Sequence, residues 1–305
     1  MGKGVSWSAR IAGILLYTLF IVGFMLVFFF PSPFLQQWIP AYVAHFYPPF
    51  TARLESIDLD FPDKLVIKTL GLGTQQTSGP LVQAEEMVLQ PDWVQLAQLS
   101  PAVLFSAKMH KGQAAGTIRY EENSFLVEGT LKGLQLSTLN ELSEWVGRSV
   151  SGTVNGTYQK RLAQGKGQSF TMLFNASDGA IGVKQPILAH TSIPYTVLRC
   201  TVTGKNNTVR LAGGHIESPL FTADFDGTVT IQHLLTASTL HIQGKLKPRP
   251  EFFSKITDTA ILQRIRSAMQ NKDISFQITG DVGVPGLDFG TLSPLIQELQ
   301  TRVKK

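Results

Sequence analysis

Thr239–Leu246 reads Thr-Leu-His-Ile-Gln-Gly-Lys-Leu, and this stretch decides the fold. Leu240, Ile242 and Leu246 fall on one parity; Thr239, His241, Gln243 and Lys245 fall on the other. Side chains alternate across a strand, so one face of this segment is apolar and the other polar, as in a half-buried antiparallel strand. Short segments of this kind fill most of the chain. Examples are Leu54–Leu59, Leu65–Leu70, Phe105–Met109, Ala115–Tyr120, Phe125–Leu131, Val150–Tyr158, Phe170–Phe174, Thr196–Val202, Thr208–Leu211, Leu220–Phe225, Thr228–Ile231 and Ile274–Ile278. Glycine- and asparagine-rich turns separate them, and Gly204-Lys205-Asn206-Asn207 reads as a hairpin tip.

Helical periods are few. Pro91–Leu99 fits a turn or two, and Leu134–Val146 offers an apolar face at residues 139, 142, 145 and 146. Glu251–Met269 follows Pro250 with apolar residues at helical spacing, and Leu292–Val303 starts at a Ser293–Pro294 cap. A loose glycine-strand repeat recurs at Gly129-Thr-Leu-Lys-Gly, Ser151-Gly-Thr-Val-Asn-Gly-Thr and Phe225-Asp-Gly-Thr-Val. Its period is not constant, which argues against a regular solenoid. The expected fold is mainly β: a long curved antiparallel sheet, an open groove or partial barrel, with a few short helices.

The 305 residues are 43% hydrophobic and only 16% charged, against about 25% charge in an average globular domain. A lone Cys200 excludes a disulfide framework and cysteine-rich metal sites. The formal net charge of +5 is spread without a basic block, so nucleic acid is not an expected partner. Part of the apolar excess lies in Ile11–Phe30, IAGILLYTLFIVGFMLVFFF, which carries no charge. At 1.5 Å per residue such a run matches a bilayer core of about 30 Å. Lys3 and Arg10 precede it, which places the N-terminus in the cytoplasm and the remainder across the membrane. Without those two residues, 25 basic residues stand against 22 acidic, about +3. FFFPSPFL offers no small-residue cleavage site, so a retained anchor is expected rather than a signal peptide. The expected organisation is a cytoplasmic tail (1–10), a transmembrane helix (11–30), a juxtamembrane linker (31–49) and a periplasmic β-rich domain (50–305). In the linker, Phe34, Leu35, Trp38 and Ile39 form one face of a short helix that Pro40 limits or kinks. That face suits either a bilayer interface or the edge of the soluble core.

One motif carries chemistry. Asp224-Phe-Asp226-Gly-Thr matches the Asp-x-Asp-Gly-Thr signature of haloacid dehalogenase phosphatases, with Asp224 as nucleophile and Asp226 as acid/base. Lys255, Asp281 and Asp288 are the residues available to complete it. The context argues otherwise: that chemistry sits on a parallel α/β fold, and the residues after Thr228 lack alternating strands and helices. Asp226–Gly227 reads instead as a hairpin turn. Histidines 45, 110, 190, 215, 233 and 241 form no metal-binding pair, and Cys200 reads as a small core residue. No catalytic, cofactor or metal site is expected, and the chain is not expected to be an enzyme.

The chain resembles two related bacterial groups, the N component of the type II secretion system and the wider AsmA-like envelope proteins. The resemblance rests on Phe50-Thr-Ala-Arg-Leu-Glu-Ser-Ile-Asp-Leu-Asp-Phe-Pro, Gly129-Thr-Leu-Lys-Gly-Leu-Gln-Leu-Ser-Thr-Leu, Ser151-Gly-Thr-Val-Asn-Gly-Thr, Gly213–Ile231 and Gly280-Asp-Val-Gly-Val-Pro-Gly-Leu-Asp. It implies a single-pass bacterial inner-membrane protein with a periplasmic β-rich body. It also implies a non-catalytic role in a type II secretion apparatus, with other secretion subunits as partners. The alternative it implies is an AsmA-like lipid-binding or lipid-transfer protein. There a phospholipid or other lipid would lie in an apolar groove of the sheet. A membrane-tethered phosphatase using Asp224 and Asp226 is the least favoured expectation.

Overall fold

The computed structural model describes residues 30–46, 50–60, 63–74, 79–80, 82–121, 124–139, 148–163, 169–187, 190–232, 237–254 and 273–294, with isolated residues in 13–25 and at 143, 262–264 and 267. Fifteen strands form one antiparallel sheet. They are β1 (Phe50–Arg53), β2 (Ser56–Asp60), β3 (Lys64–Thr74), β4 (Val82–Pro91), β5 (Ala102–Met109), β6 (Gly112–Glu121), β7 (Ser124–Gln135) and β8 (Val150–Ala163). They continue as β9 (Ser169–Ile187), β10 (His190–Lys205), β11 (Thr208–Glu217), β12 (Phe221–Thr230), β13 (Thr239–Pro248), β14 (Ile274–Asp281) and β15 (Val284–Asp288). From β3 onward every strand pairs with its neighbour in sequence, and β1 and β2 share the free side of β3. The sheet is open: β15 does not return to pair with the first strands among the described residues.

Directly paired residues of an antiparallel ladder share a face, so the register traces the character of each face. One row runs Leu59–Leu65–Leu89–Phe105–Gly116–Gly129–Tyr158–Met172–Val202–Leu211–Gly227–Ile242–Ile278–Leu287. It holds no charged residue. At ~4.8 Å per strand it extends about 60 Å along the sheet. Beside it on the same face lie Ile57, Ile67, Met87, Ala107, Ala114, Leu131, Gly156, Phe174 and Cys200. On the opposite face the adjacent row reads Gln90, Leu104, Thr117, Glu128, Gln159, Thr171, Thr203, Arg210, Thr228, His241, Thr279 and Gly286. The two faces of one layer therefore differ in kind from end to end.

Most side chains of the apolar row are only half-buried. A small core of Val154, Ala176 and Tyr195 lies at β8–β10, with Leu134, Leu136 and Leu198 packed against it, and the larger core lies at the end formed by β11–β14. There Leu220, Phe221, Ala223, Leu246, Ile274 and Phe276 pack with Phe252, Phe253, Phe289 and Leu292. The last four belong to or flank two single 3₁₀ turns, Pro250–Phe253 and Gly290–Leu292. Phe252 sits edge-on to Phe221 (5.8 Å) and to Phe253 (5.2 Å), a favoured aromatic geometry.

Two β-bulges repeat one device. β7 bulges at Gly133 (φ +67°) and β11 at Gly213 (φ +59°), left-handed conformations that favour glycine. Pairing jumps from Leu131–Gly156 to Leu134–Val154 in the first and from Leu211–Gly227 to Gly214–Phe225 in the second. A side chain on the next strand captures each bulge amide. Gly133 N–H donates to Asn155 Oδ1 at 2.9 Å, and Gly213 N–H donates to Asp226 Oδ1 at 2.8 Å. The repeat in sequence between Asn155-Gly-Thr and Asp226-Gly-Thr is this clasp.

The structure corrects several expectations. Asp226–Gly227 is not a turn. It lies inside β12, paired with Gln243 and Ile242, and merges two expected strands into one. Glycine is required there by crowding, since a Cβ on Gly227 would come within 2.6 Å of the His241 carbonyl oxygen. Pro40 does not end the linker helix. Helix α1 (Ser32–Phe46) continues through it. Leu35, Ile39 and Val43 are half-buried on the side that meets β1 and β2, which holds the helix together across the missing amide. Phe34, Trp38 and Tyr42 form the exposed side, with the Trp38 and Tyr42 rings 5.0 Å apart.

The expected Leu134–Val146 helix begins instead as the end of β7 and a 3₁₀ turn, Leu136–Thr138. Pro91–Leu99 does contain a short helix, α2 (Trp93–Ala97), whose N-terminal amides at Val94 and Gln95 donate to Asp92 Oδ1. The Glu251–Met269 helix opens as the first 3₁₀ turn, and most of its length lies outside the described residues, as does most of Leu292–Val303. The 1–10 tail and much of 11–30 also lie outside them. Residues described within that span, such as Ile14, Leu15, Tyr17, Val22 and Met25, are helical and exposed. Among the described residues no helix is long and apolar enough to cross a membrane.

Candidate functional site

The aromatic end of the apolar face does not close on itself. A cavity of about 620 Å³ opens over β10–β15, within the range of small-ligand pockets. Its floor is the apolar face: Leu198, Ile216, Ala223, Leu246, Phe276 and Ile278. Its walls are Phe252 and Phe289 from the 3₁₀ turns, Val284–Leu287 from β15, and Ile181 and Val183 from β9. Ile278 and Leu287 belong to the long apolar row, so the cavity and the row are continuous.

Four polar side chains stand in this apolar surface: Tyr195, His190, Arg148 and Ser293, whose hydroxyl donates to Asp288 Oδ1 and accepts from the Phe289 amide. Tyr195 is buried, and its hydroxyl donates to the Ser151 carbonyl at 2.7 Å. Its ring needs bare backbone beneath it: a Cβ at Gly179 would approach Tyr195 Cζ to 2.4 Å. Burial pushes its phenol pKa up. His190 is buried too, stacked near Phe252 with ring centroids 6.5 Å apart, and its Nε2 lies 3.4 Å from the Phe252 carbonyl oxygen. Arg148 precedes β8. Its Nε is shielded from solvent and has no hydrogen-bond partner among the described residues. Loss of hydration lowers its pKa from the ordinary arginine value. Arg119 Nε is shielded and unpartnered in the same way, but Arg119 Nη2 pairs with Glu128.

The motif residues lie on the other face. A polar depression of about 790 Å³ is lined there by His215, Glu217, Asp224, Asp226, Lys245, Lys247 and Asp273 among others. His215 Nδ1 lies 2.6 Å from Asp224 Oδ1, and its Nε2 lies 3.3 Å from Glu217 Oε1. Asp226 is engaged by the Gly213 amide. The carboxylates that a phosphatase would gather do not converge. Asp288 lines the same depression, but it follows Asp226 along one row through Gln243 and Gln277, about 14 Å away at ~4.8 Å per strand. Asp281 pairs with Thr239, whereas Asp224 pairs with Lys245, about 20 Å farther along β13. Lys255 and His233 lie outside the described residues. Among the described residues no group of three or more histidine, cysteine or acidic side chains could hold a metal ion.

Cys200 is where the sequence puts it, a buried thiol in β10, and burial pushes its pKa up. Arg148 and His190 were not legible as site residues. Each stands alone in sequence, and only the sheet brings them to one cavity. The polar Asp224–His215 pair was equally hidden, since it depends on the register of β11 on β12. No protein-family model, no curated protein and no solved structure matches the chain.

Proposed function

We propose that this is a non-catalytic envelope protein that binds an amphiphilic lipid along the apolar face of its sheet. In this reading residues 11–30 hold it in a bacterial inner membrane, with the N-terminus cytoplasmic and the sheet periplasmic. The observation that carries the reading is the uncharged row from Leu59 to Leu287, half-buried as far as Ile278, exposed at Leu287 and ending in the cavity. A soluble core of this size would normally be covered by a second layer, whereas among the described residues short helical elements lie against the sheet only in places: the 3₁₀ turns at the β11–β14 end, the Leu136–Thr138 turn beside β8, and α1 beside β1 and β2. An uncovered apolar track suits acyl chains, which are apolar and flexible. The exposed Phe34, Trp38 and Tyr42 suit the headgroup region that would lie beside such an anchor.

In vivo photocrosslinking of the full chain tests it. A benzophenone residue replacing Met172 or Ile242 should capture lipid. One replacing Thr171 or His241, on the opposite face, should not. Equal capture from both faces, or none from either, would overturn the reading.

A second reading, an accessory subunit of a type II secretion apparatus, draws on the sheet edges. Both β1–β2 and β15 offer unpaired backbone among the described residues, and Val284 on β15 is 74% exposed. Such edges accept a partner's strand. Here benzophenone at Val284 should capture secretion-system subunits and not lipid.

A further inference from the structure

We infer that the cavity at the β10–β15 end selects a single-chain amphiphile with an acidic head group, and that Arg148 pairs with that head. The inference rests on the lipid-binding reading and names the ligand class for it.

Three observations converge. The first is size. At ~30 Å³ for a water-sized group, the cavity of about 620 Å³ takes about twenty such groups. That is one acyl chain with a compact head. The second chain of a two-chain phospholipid would have to lie outside it, along the open apolar row. The second is the wall. The floor and sides are aliphatic and aromatic, and among the described lining residues there is no carboxylate. The charged or titratable nitrogen groups there are Arg148 and His190, so nothing in the wall repels an anion. The third is the state of Arg148. Its Nε is shielded from solvent and unpartnered among the described residues. An unsatisfied buried donor is costly, and a guanidinium is planar and presents a fork that matches carboxylate and phosphate oxygens. An acidic head group supplies the missing acceptors while its chain covers Leu246, Phe276 and Ile278. A neutral alcohol of equal length covers the same residues and offers one acceptor, but it brings no charge to oppose the guanidinium and no second oxygen for its fork.

The test uses the full-length chain in a neutral detergent. Three photoactivatable diazirine probes share one sixteen-carbon chain and differ in the head: carboxylate, monophosphate and alcohol. Covalent adducts are mapped by mass spectrometry to the peptides that carry Tyr195, Leu246 and Phe276. The acidic probes should label these peptides about ten- to a hundredfold more efficiently than the alcohol, the factor a charge-assisted hydrogen bond carries. Arg148→Gln should reduce the acidic probes to the alcohol's level and leave the alcohol unchanged, while Arg148→Lys should retain most of the preference. A preference between carboxylate and phosphate, in either direction, supports the pairing and identifies the head. Equal labelling by all three probes in the wild type, or undiminished acidic labelling in Arg148→Gln, would overturn the Arg148 assignment and leave the groove reading standing. No labelling of the cavity peptides by any probe would overturn the groove reading itself.

Discussion

The two ends of the apolar face follow the same alternation and come out differently. At the β2–β6 end the buried residues of this face are small or aliphatic: Ile57, Ile67, Ala84, Ala107 and Ala114. At the β11–β15 end they are Phe221, Phe252, Phe253, Phe276 and Phe289. Alanines give a shallow floor that a neighbouring strand can complete. Phenylalanines project far enough to need partners above the sheet, and the 3₁₀ turns at Pro250–Phe253 and Gly290–Leu292 supply them. Side-chain length, not strand pairing, thus decides where a one-layer sheet gains a second layer and where a cavity forms.

The sharpest way to break this contrast is Phe252→Ala. It removes a ring packed against both Phe221 and Phe253, and should cost about 3–5 kcal/mol, read as a lower denaturation midpoint of the full chain in detergent. Hydrogen exchange should rise across β11–β14 and stay unchanged in β3–β5. If protection falls equally at both ends, the two ends are one cooperative unit and the contrast is only one of shape. Next in size are the bulge clasps. Asp226→Ala and Asn155→Ala should each cost about 1 kcal/mol, the net worth of one hydrogen bond. Asp226→Asn should be close to neutral, because the amide oxygen can still accept from Gly213, as Asn155 does from Gly133. A large loss in Asp226→Asn would mean that the charge, not the clasp, matters there. At the shallow end Ile57→Val should cost about 0.5–1.5 kcal/mol, with increased exchange confined to β2 and β3.

A pH titration probes the aromatic end alone. Asp288 accepts from Ser293 Oγ and from the Gly290 amide, and these bonds hold its carboxyl below the ordinary value of 3.8. The folded value is the lower one, so the stabilisation is fully present above 3.8 and is lost as pH falls through the folded value. Nuclear magnetic resonance of the Gly290 and Ser293 signals should show the turn loosening only in that acidic range, and Asp288→Asn should remove the dependence. The smallest effect belongs to the surface pair Lys108–Glu86, 3.0 Å apart with Lys108 67% exposed. Lys108→Ala should change stability by less than about 1 kcal/mol.

Much of the sheet was legible because half-buried strands advertise themselves by parity. The exceptions have local causes. Val82–Pro91 does not read as a strand because its register shifts between Ala84 and Glu86. Apolar residues consequently move from even positions (Ala84) to odd ones (Met87, Leu89). Thr69, with φ of 52°, does the same in β3, where Leu65 and Ile67 give way to Leu70 and Leu72. Asp226–Gly227 carries the chemical signature of a hairpin and serves as a clasp, because the amide it captures belongs to another strand. The cavity was not legible at all. An apolar parity is the same whether the face is covered or bare, and Arg148 and His190 come to line one cavity only after β8, β9 and β10 have paired.

The unbroken neighbour-to-neighbour order of the sheet has a consequence for how the chain is made. From β3 onward each strand needs only the strand synthesised just before it. A chain emerging N-terminus first, from a ribosome or through a translocation channel, can therefore zip up one hairpin at a time. No segment has to wait for a distant partner, and loop closure remains inexpensive at every step. The aromatic end emerges last, so each addition extends a growing edge, and the cavity is the final feature to form.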